Sequence, residues 1–375
     1  MRVAIVSPHP VTPADSGDRI RTTALAAALT AAGVEVAIVA YAWDGEVSPA
    51  ESNLRYVPGR PAKGPARQLW RLRLAAARRT NAFALHQDAT AKDAMRRELD
   101  ALGPDVVDFQ HSYTWFDTGR PSVVTVHNVE SDRLSRFGAM SRRAIEGAIE
   151  SERTAVECAD ATVVFSELDG GRLTRVTAPR SLHVVPLGYD PGPPRNELRE
   201  VCTVAAYVGS MDYAPNVEAG RLLLCEWQSI RQATGLRRLL VVGRQAAAHF
   251  RPDESVDVLS DVADVRVALE PADVLVVPVV SGGGVRVKII EAFGLGLPVV
   301  STALGIEGLG AVDGEHAIIV AQVADLAAGL ARVSNLAVRQ RLAANARALW
   351  EERYSPPRMA DAMTGVYEVA IGDRR

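Results

Sequence analysis

Short apolar runs alternate with amphipathic stretches along the whole chain. In the first half the runs are Val3–Val6, Val34–Tyr41, Val106–Phe109, Val123–Val126, Ala161–Phe165 and Leu182–Val185. In the second half they are Val204–Val208, Leu239–Val242, Val274–Val277, Pro298–Ser301 and Ala317–Val320. Their length, and their richness in valine and isoleucine, predict strands buried on both faces. The stretches between them carry helical periodicity, as in Asp18–Ala32, Asp132–Glu157, Asn216–Ala233 and Ala337–Glu352. Alternating strand and helix predicts parallel sheets with helices on both faces, an α/β architecture. Leu187–Asn196 interrupts the pattern with a cluster of Pro and Gly that reads as an interdomain linker. The expected division is a first doubly wound domain over 1–186, a linker over 187–200 and a second such domain over 201–354. A terminal helix over 355–375, opening at Pro356-Pro357, is expected to cross back to the first domain.

The chain's 375 residues suit two cores rather than one. Lys plus Arg is 42 and Asp plus Glu is 45, a net charge of −3 that argues against a nucleic-acid binder. The three cysteines, Cys158, Cys202 and Cys225, are scattered and suggest neither a disulfide framework nor a metal knuckle. The N-terminal apolar run is too short for a signal peptide, and no stretch approaches the ~18–20 apolar residues of a membrane span. The expected location is therefore cytoplasmic. Arg60–Arg79 is free of acidic residues and interleaves Leu69, Trp70, Leu72 and Leu74 with cations. It reads as a helix packed on the first sheet, as a peripheral membrane contact through 60–79, or as a frame for an anionic or lipid-linked acceptor.

The chemistry concentrates just after the run Val274–Val280. There Ser281-Gly-Gly-Gly-Val-Arg-Val-Lys-Ile-Ile-Glu291 joins a strand to a helix. Gly282, Gly283 and Gly284 let the backbone turn sharply and approach an anion closely. A helix N-terminus supplies amide donors and a positive dipole end, and Arg286 and Lys288 add full charges. Glu291, three residues past Lys288, shares its helical face and can accept hydrogen bonds from two ribose hydroxyls. The combination predicts a site for a nucleoside diphosphate. His127 follows the strand Val123–Val126 and projects from a strand's carboxyl end, with Glu130 and Arg133 close enough to line the same region. Gly17, Arg19 and Arg21 occupy the first strand-to-helix region. The two arginines read equally as site residues or as a solvated helix face.

Taken in order, Ser16–Arg21, His127–Ser131, Pro186–Gly188, Gly209–Asn216 and Gly282–Thr302 resemble the retaining glycosyltransferases of family 4. The resemblance covers nearly the whole length. It implies a GT-B fold, in which two Rossmann-like domains face each other across a cleft. The second domain binds a nucleotide-sugar donor, and the first takes a small-molecule, polysaccharide or lipid-linked acceptor. It implies further that His127 contacts the donor sugar, that Glu291 holds the ribose, and that the segment of Val262 and Arg266 cradles the base. Gly209 would line the donor site. Arg286 and Lys288 would stabilise the leaving diphosphate, with retention of configuration and no cofactor; the residues themselves offer no Asp-x-Asp element at a strand end, so no bound metal is expected.

Two departures from the family pattern stand out. Gly283 occupies the place of the family's first glutamate, which leaves the glycine-loop amides as contacts for sugar or phosphate. The usual cations after the first strand of the second domain are replaced by Ser210-Met211-Asp212. A nucleotide-sugar epimerase of the same shape and a catalytically inactive nucleotide-sugar-binding scaffold are the alternative readings.

Overall fold

The structure, a computed structural model, describes residues 1–12, 14, 16–43, 53–60, 89–129, 142–195, 197–284 and 286–374. The chain divides into two compact units. The first comprises Met1–Gly188 together with Pro356–Arg375, and the second Tyr189–Ser355.

The first unit holds a seven-stranded parallel sheet of β1 (Arg2–Ser7), β2 (Glu35–Trp43), β3 (Leu54–Arg60), β4 (Val106–Gln110), β5 (Ser122–Thr125), β6 (Ala161–Val164) and β7 (Leu182–Val184). The strand order is β3-β2-β1-β4-β5-β6-β7, so the winding reverses between β1 and β4. Val3 lies opposite Val36 on one side and Val106 on the other, and every residue of β4 and β5 is buried. Burial of successive residues, whose side chains alternate between faces, means both faces are covered. The helices are α1 (Gly17–Ala31), α2 (Ala89–Leu102), α3 (Arg142–Cys158) and α4 (Glu167–Leu173). Ser16 enters α1 in extended conformation, its hydroxyl 2.6 Å from the first-turn carboxylate of Asp18.

The second unit repeats the plan with β8 (Val204–Val208), β9 (Arg238–Gly243), β10 (Val256–Ser260), β11 (Val274–Val277), β12 (Val299–Thr302) and β13 (Ile318–Val320). Its order is β10-β9-β8-β11-β12-β13, all parallel, with the reversal between β8 and β11. The helices are α5 (Ala214–Ala233), α6 (Ala246–His249), α7 (Val265–Leu269), α8 (Val287–Leu295), α9 (Leu326–Arg332) and α10 (Leu336–Arg353). α8 ends in left-handed Gly296 (φ 68°), a conformation that costs glycine little, and Pro298 follows. Ligands of such sheets bind beyond the carboxyl ends of the strands flanking the reversal.

Residues 189–195 and 197–200 belong to the second unit. The Arg195 and Arg199 guanidinium groups donate to the carbonyls of Leu269, Ala272 and Pro271. The last helix, α11 (Pro356–Gly372), packs on the first unit. Its Tyr367 hydroxyl donates to Asp108 at 2.8 Å, and Arg374 donates to Asp160 at 2.9 Å. Among the described residues no helix is long and apolar enough to cross a membrane.

Candidate active site

In the second unit the loop after β11 lies against the start of α5. Gly282 has φ +90°, and a Cβ there would meet the Tyr213 hydroxyl at 2.7 Å and Pro215 at 3.2 Å, so only glycine fits. The Gly283 carbonyl accepts a hydrogen bond from Arg286 Nη1 at 2.9 Å. Ser281 Oγ donates to Glu218 at 2.5 Å. Arg286 is the N-cap residue of α8. Burial lowers its pKa against the opposing influence of Tyr213, Glu307 and Tyr207. Its Nε is buried with no hydrogen-bond partner among the described residues. Lys288, the second residue of α8, donates to Asn216 Oδ1 at 3.1 Å and lies 5.2 Å above the Tyr207 ring. The residue as a whole is half-buried. Desolvation of its ammonium, with the Arg286 charge beside it, lowers its pKa to about 7.

Asn216 joins this loop to the one after β8. Its Nδ2 donates to the Ser210 carbonyl at 2.8 Å while its Oδ1 accepts from Lys288. Its side chain also packs so closely on Gly209 that a Cβ at that position would lie 2.9 Å from it. Asn216 belongs to the conspicuous run Gly209–Asn216 of the sequence, but nothing in that run signals its bridging role.

Glu291 is buried on α8. Desolvation pushes its carboxyl up to about 7; Arg266 and the Tyr189 hydroxyl oppose this, and Asp264 adds to it. Arg266 is exposed and pairs with Asp264, Nη2 to Oδ2 at 2.8 Å, while Asp264 caps α7 through the Arg266 amide. Val262 lies between β10 and that helix and is half-buried. Lys288 and Glu291, one turn apart, thus have different neighbours, Asn216 and Tyr207 for the lysine, Tyr189, Asp264 and Arg266 for the glutamate.

In the first unit His127 follows β5 and is 8% exposed. Its Nε2 lies 2.8 Å from Gln110 Oε1, its ring stacks on His111 at 3.9 Å, and it meets Phe165 edge-on at 5.2 Å. Desolvation, with His111 and Arg21 nearby, lowers its pKa well below the ordinary value, so the ring is neutral near pH 7. His111 has φ +76°, strained for a side-chain-bearing residue. His9 Nε2 lies 2.5 Å from Asp18 Oδ2. Desolvation pushes the Asp18 carboxyl up, but His9, the Ser16 hydroxyl and His111 together outweigh it and hold the carboxyl below the usual range.

Gly17 opens α1 and Arg19 is half-buried on it. Arg21 occupies no solvated face. It is 1% exposed, stacks 3.5 Å over Phe165, and none of its guanidinium nitrogens has a hydrogen-bond partner among the described residues. Burial lowers its pKa to about 9 against the pull of Asp108 and Tyr367. Glu130, Arg133 and residues 61–79 lie outside the described residues. His9, Gln110, His111 and Phe165 were not singled out from the sequence. Each stands at or just past the carboxyl end of a strand, the rule that selected His127.

A family model described as glycosyl transferases group 1 matches residues 202–335, and one described as glycosyltransferase family 4 matches residues 17–192. No curated protein matches the chain in sequence. Sucrose-phosphate synthase from Thermosynechococcus elongatus superposes with a TM-score of 0.76 at 18% identity, covering 100% of both chains. A TarM variant from S. aureus, in complex with fondaparinux, α-GlcNAc-glycerol and UDP, gives 0.73 at 10% identity, covering 98% of this chain and 100% of its own. Anabaena HepE in complex with UDP-glucose gives 0.69 at 12% identity, covering 98% and 99%. At such identities these likenesses concern the fold, two parallel-sheet α/β units of the GT-B kind. The two family matches together span most of the chain and meet that fold in both units, so the protein belongs to the group 1, family 4 glycosyltransferases.

Proposed function

We propose that the protein transfers a glycosyl group from a nucleoside diphosphate sugar to a hydroxyl of a small-molecule, polysaccharide or lipid-linked acceptor. The carrying observation is the pair of desolvated cations, Arg286 and Lys288, set beside a glycine loop and a helix N-terminus at the reversal point of the second sheet. Donors fixed in place before charge develops stabilise a leaving diphosphate best. Their two charges support a reaction that needs no metal. Glu291, buried and shifted, takes the ribose, and the Val262–Arg266 segment lies along the base. The UDP-glucose held by HepE and the UDP held by TarM favour uracil as that base.

In this reading the bond from the sugar's anomeric carbon to the phosphate oxygen breaks as the bond to the acceptor oxygen forms. The acceptor's proton passes to the departing phosphate on the same face, giving retention. His127, neutral and fixed by Gln110 and His111, contacts the donor sugar from the first unit. Gly17, Arg19, Arg21, Glu130 and Arg133 belong to the acceptor side.

The test is product analysis with UDP-sugars and candidate acceptors, with and without a chelator, and NMR assignment of the anomer. An α-linked product from an α-linked donor, formed equally in chelator, supports the reading. An inverted anomer overturns retention, and activity lost to chelator overturns metal independence. Nucleotide binding without transfer to any acceptor would return the chain to a nucleotide-sugar-binding role.

A further inference from the structure

The end of β9 delivers one more cation to the same loops. Arg244 Nη2 donates to Ser210 Oγ at 3.2 Å, and its guanidinium pairs with Asp212. The Met211 amide in turn donates to the Arg244 carbonyl at 3.0 Å. From Ser210 the hydrogen bonds run on through Asn216 to Lys288. One connected chain of polar contacts therefore links Arg244, from the second strand of this unit, to Lys288 after the fourth.

The backbone around Arg244 is unusual on both sides. Gly243 has φ +149°, and a Cβ there would lie 1.8 Å from the Gly209 carbonyl oxygen, so the loops after β8 and β9 are in direct contact. Gln245, on the other side, is left-handed at φ +56°, with its amide donating to Asp261 at 3.1 Å. Strain of this kind persists where surrounding contacts enforce it and is concentrated at functional sites.

We propose that Arg244 is a third diphosphate-binding cation, stored on Asp212 in the free protein and transferred to a donor phosphate on binding. This rests on the donor-site reading above. The Arg244 and Asp212 side chains are 36% and 35% exposed, and an ion pair open to water to that degree is weak. A phosphate offers the guanidinium two acceptor oxygens and more charge than one carboxylate. Asp212 then acts as a placeholder that keeps Arg244 extended along Gly209–Asp212.

The test is calorimetry of UDP, GDP and ADP binding to the full chain, wild type against Arg244→Gln and Asp212→Asn, with the matching nucleosides followed by saturation-transfer NMR. Arg244→Gln should weaken the nucleoside diphosphate about tenfold or more and leave nucleoside binding unchanged, which also shows the variant is folded. Asp212→Asn should bind the diphosphate at least as tightly as wild type, because a competitor for Arg244 has been removed. Wild-type affinity in Arg244→Gln overturns the assignment. Equal loss in both variants also overturns it, since that is the result for a purely structural pair. A wild type that binds no nucleoside diphosphate overturns the donor reading itself, an outcome distinct from either.

Discussion

Raising the pH should weaken donor binding through Lys288, by an amount that follows from its surroundings. Desolvation, with Arg286 nearby, brings its pKa to about 7, against roughly 10.4 for a free side chain. Near neutrality the free protein therefore holds the proton about half the time. A bound diphosphate stabilises the ammonium and raises its pKa toward the roughly 10.4 of a free side chain. Over the range between those two values the complex keeps a proton that the free protein has lost. Binding must then take it from the buffer, and affinity falls by up to about tenfold per pH unit. From pH 7 to pH 9 the loss amounts to about 50-fold, the ratio of 1 + 100 to 1 + 1 on these pKa values.

Glu291 titrates in the same range with the opposite effect. Its carboxyl is pushed up to about 7, and the ionised form is the better acceptor for ribose hydroxyls, so its contribution strengthens binding as pH rises. The Glu291→Gln background isolates Lys288. The measurement is UDP titration calorimetry across that pH range in buffers of different ionisation enthalpy, with Lys288→Arg as the comparison, because guanidinium stays charged throughout. Proton uptake and a steep fall in affinity are expected with lysine, and a flat profile with arginine. Identical profiles for the two, or no proton uptake near pH 8, would refute contact between Lys288 and the diphosphate.

Three further outcomes are expected. Lys288→Met should abolish diphosphate binding yet raise the melting temperature of the free protein by a few degrees, since a desolvated ammonium costs about 1–3 kcal/mol after allowance for its partial exposure; a lower melting temperature contradicts this. Gly282→Ala should lower the melting temperature by the equivalent of about 1–3 kcal/mol through its left-handed φ and the clash with Tyr213, and Tyr213→Phe in the same background should recover part of that loss. Tyr367→Phe removes a hydrogen-bond donor from buried Asp108, which keeps only Thr125 as a direct hydroxyl partner, and should cost about 1–3 kcal/mol in thermal or urea unfolding; an unchanged midpoint means Tyr367 does not help anchor α11.

Most strands legible from the sequence lie inside their sheets. β1, β4, β5, β8, β11 and β12 lie inside their sheets and read as unbroken apolar runs because both faces are buried. The two strands not anticipated, Leu54–Arg60 and Val256–Ser260, each stand at one edge of a sheet as β3 and β10, whereas β7 and β13 at the opposite edges read as short apolar runs. An edge strand has fewer neighbours to bury it and tolerates proline or charge. β3 carries Pro58, and β10 carries Asp257, which pairs with Arg238 on the neighbouring strand. Arg21 was ambiguous for a related reason. Helical periodicity tells which positions share a face, but not that this face would close over a cation held by an aromatic ring and a distant carboxylate.

For the donor loop, local spacing brought Gly282, Arg286, Lys288 and Glu291 into view because all sit on one strand-turn-helix unit. Asn216 and Arg244 come from other units and reach the loop only through the strand order β9-β8-β11, a fact of topology that no local motif encodes. That order also explains why the site's cations are poorly neutralised in the free protein. Two nearby carboxylates are occupied elsewhere, Asp212 with Arg244 and Glu218 with Ser281. Arg286 is left with a backbone carbonyl and Lys288 with an amide oxygen, neutral acceptors that hold the groups in place without cancelling their charge. The lowered pKa values of both cations have that common origin, burial without a contacting counter-ion among the described residues. An incoming diphosphate supplies the missing charge. The strength of donor binding and the cost of burying these two cations are therefore two consequences of one arrangement, and a substitution that removes the buried charge should weaken the binding.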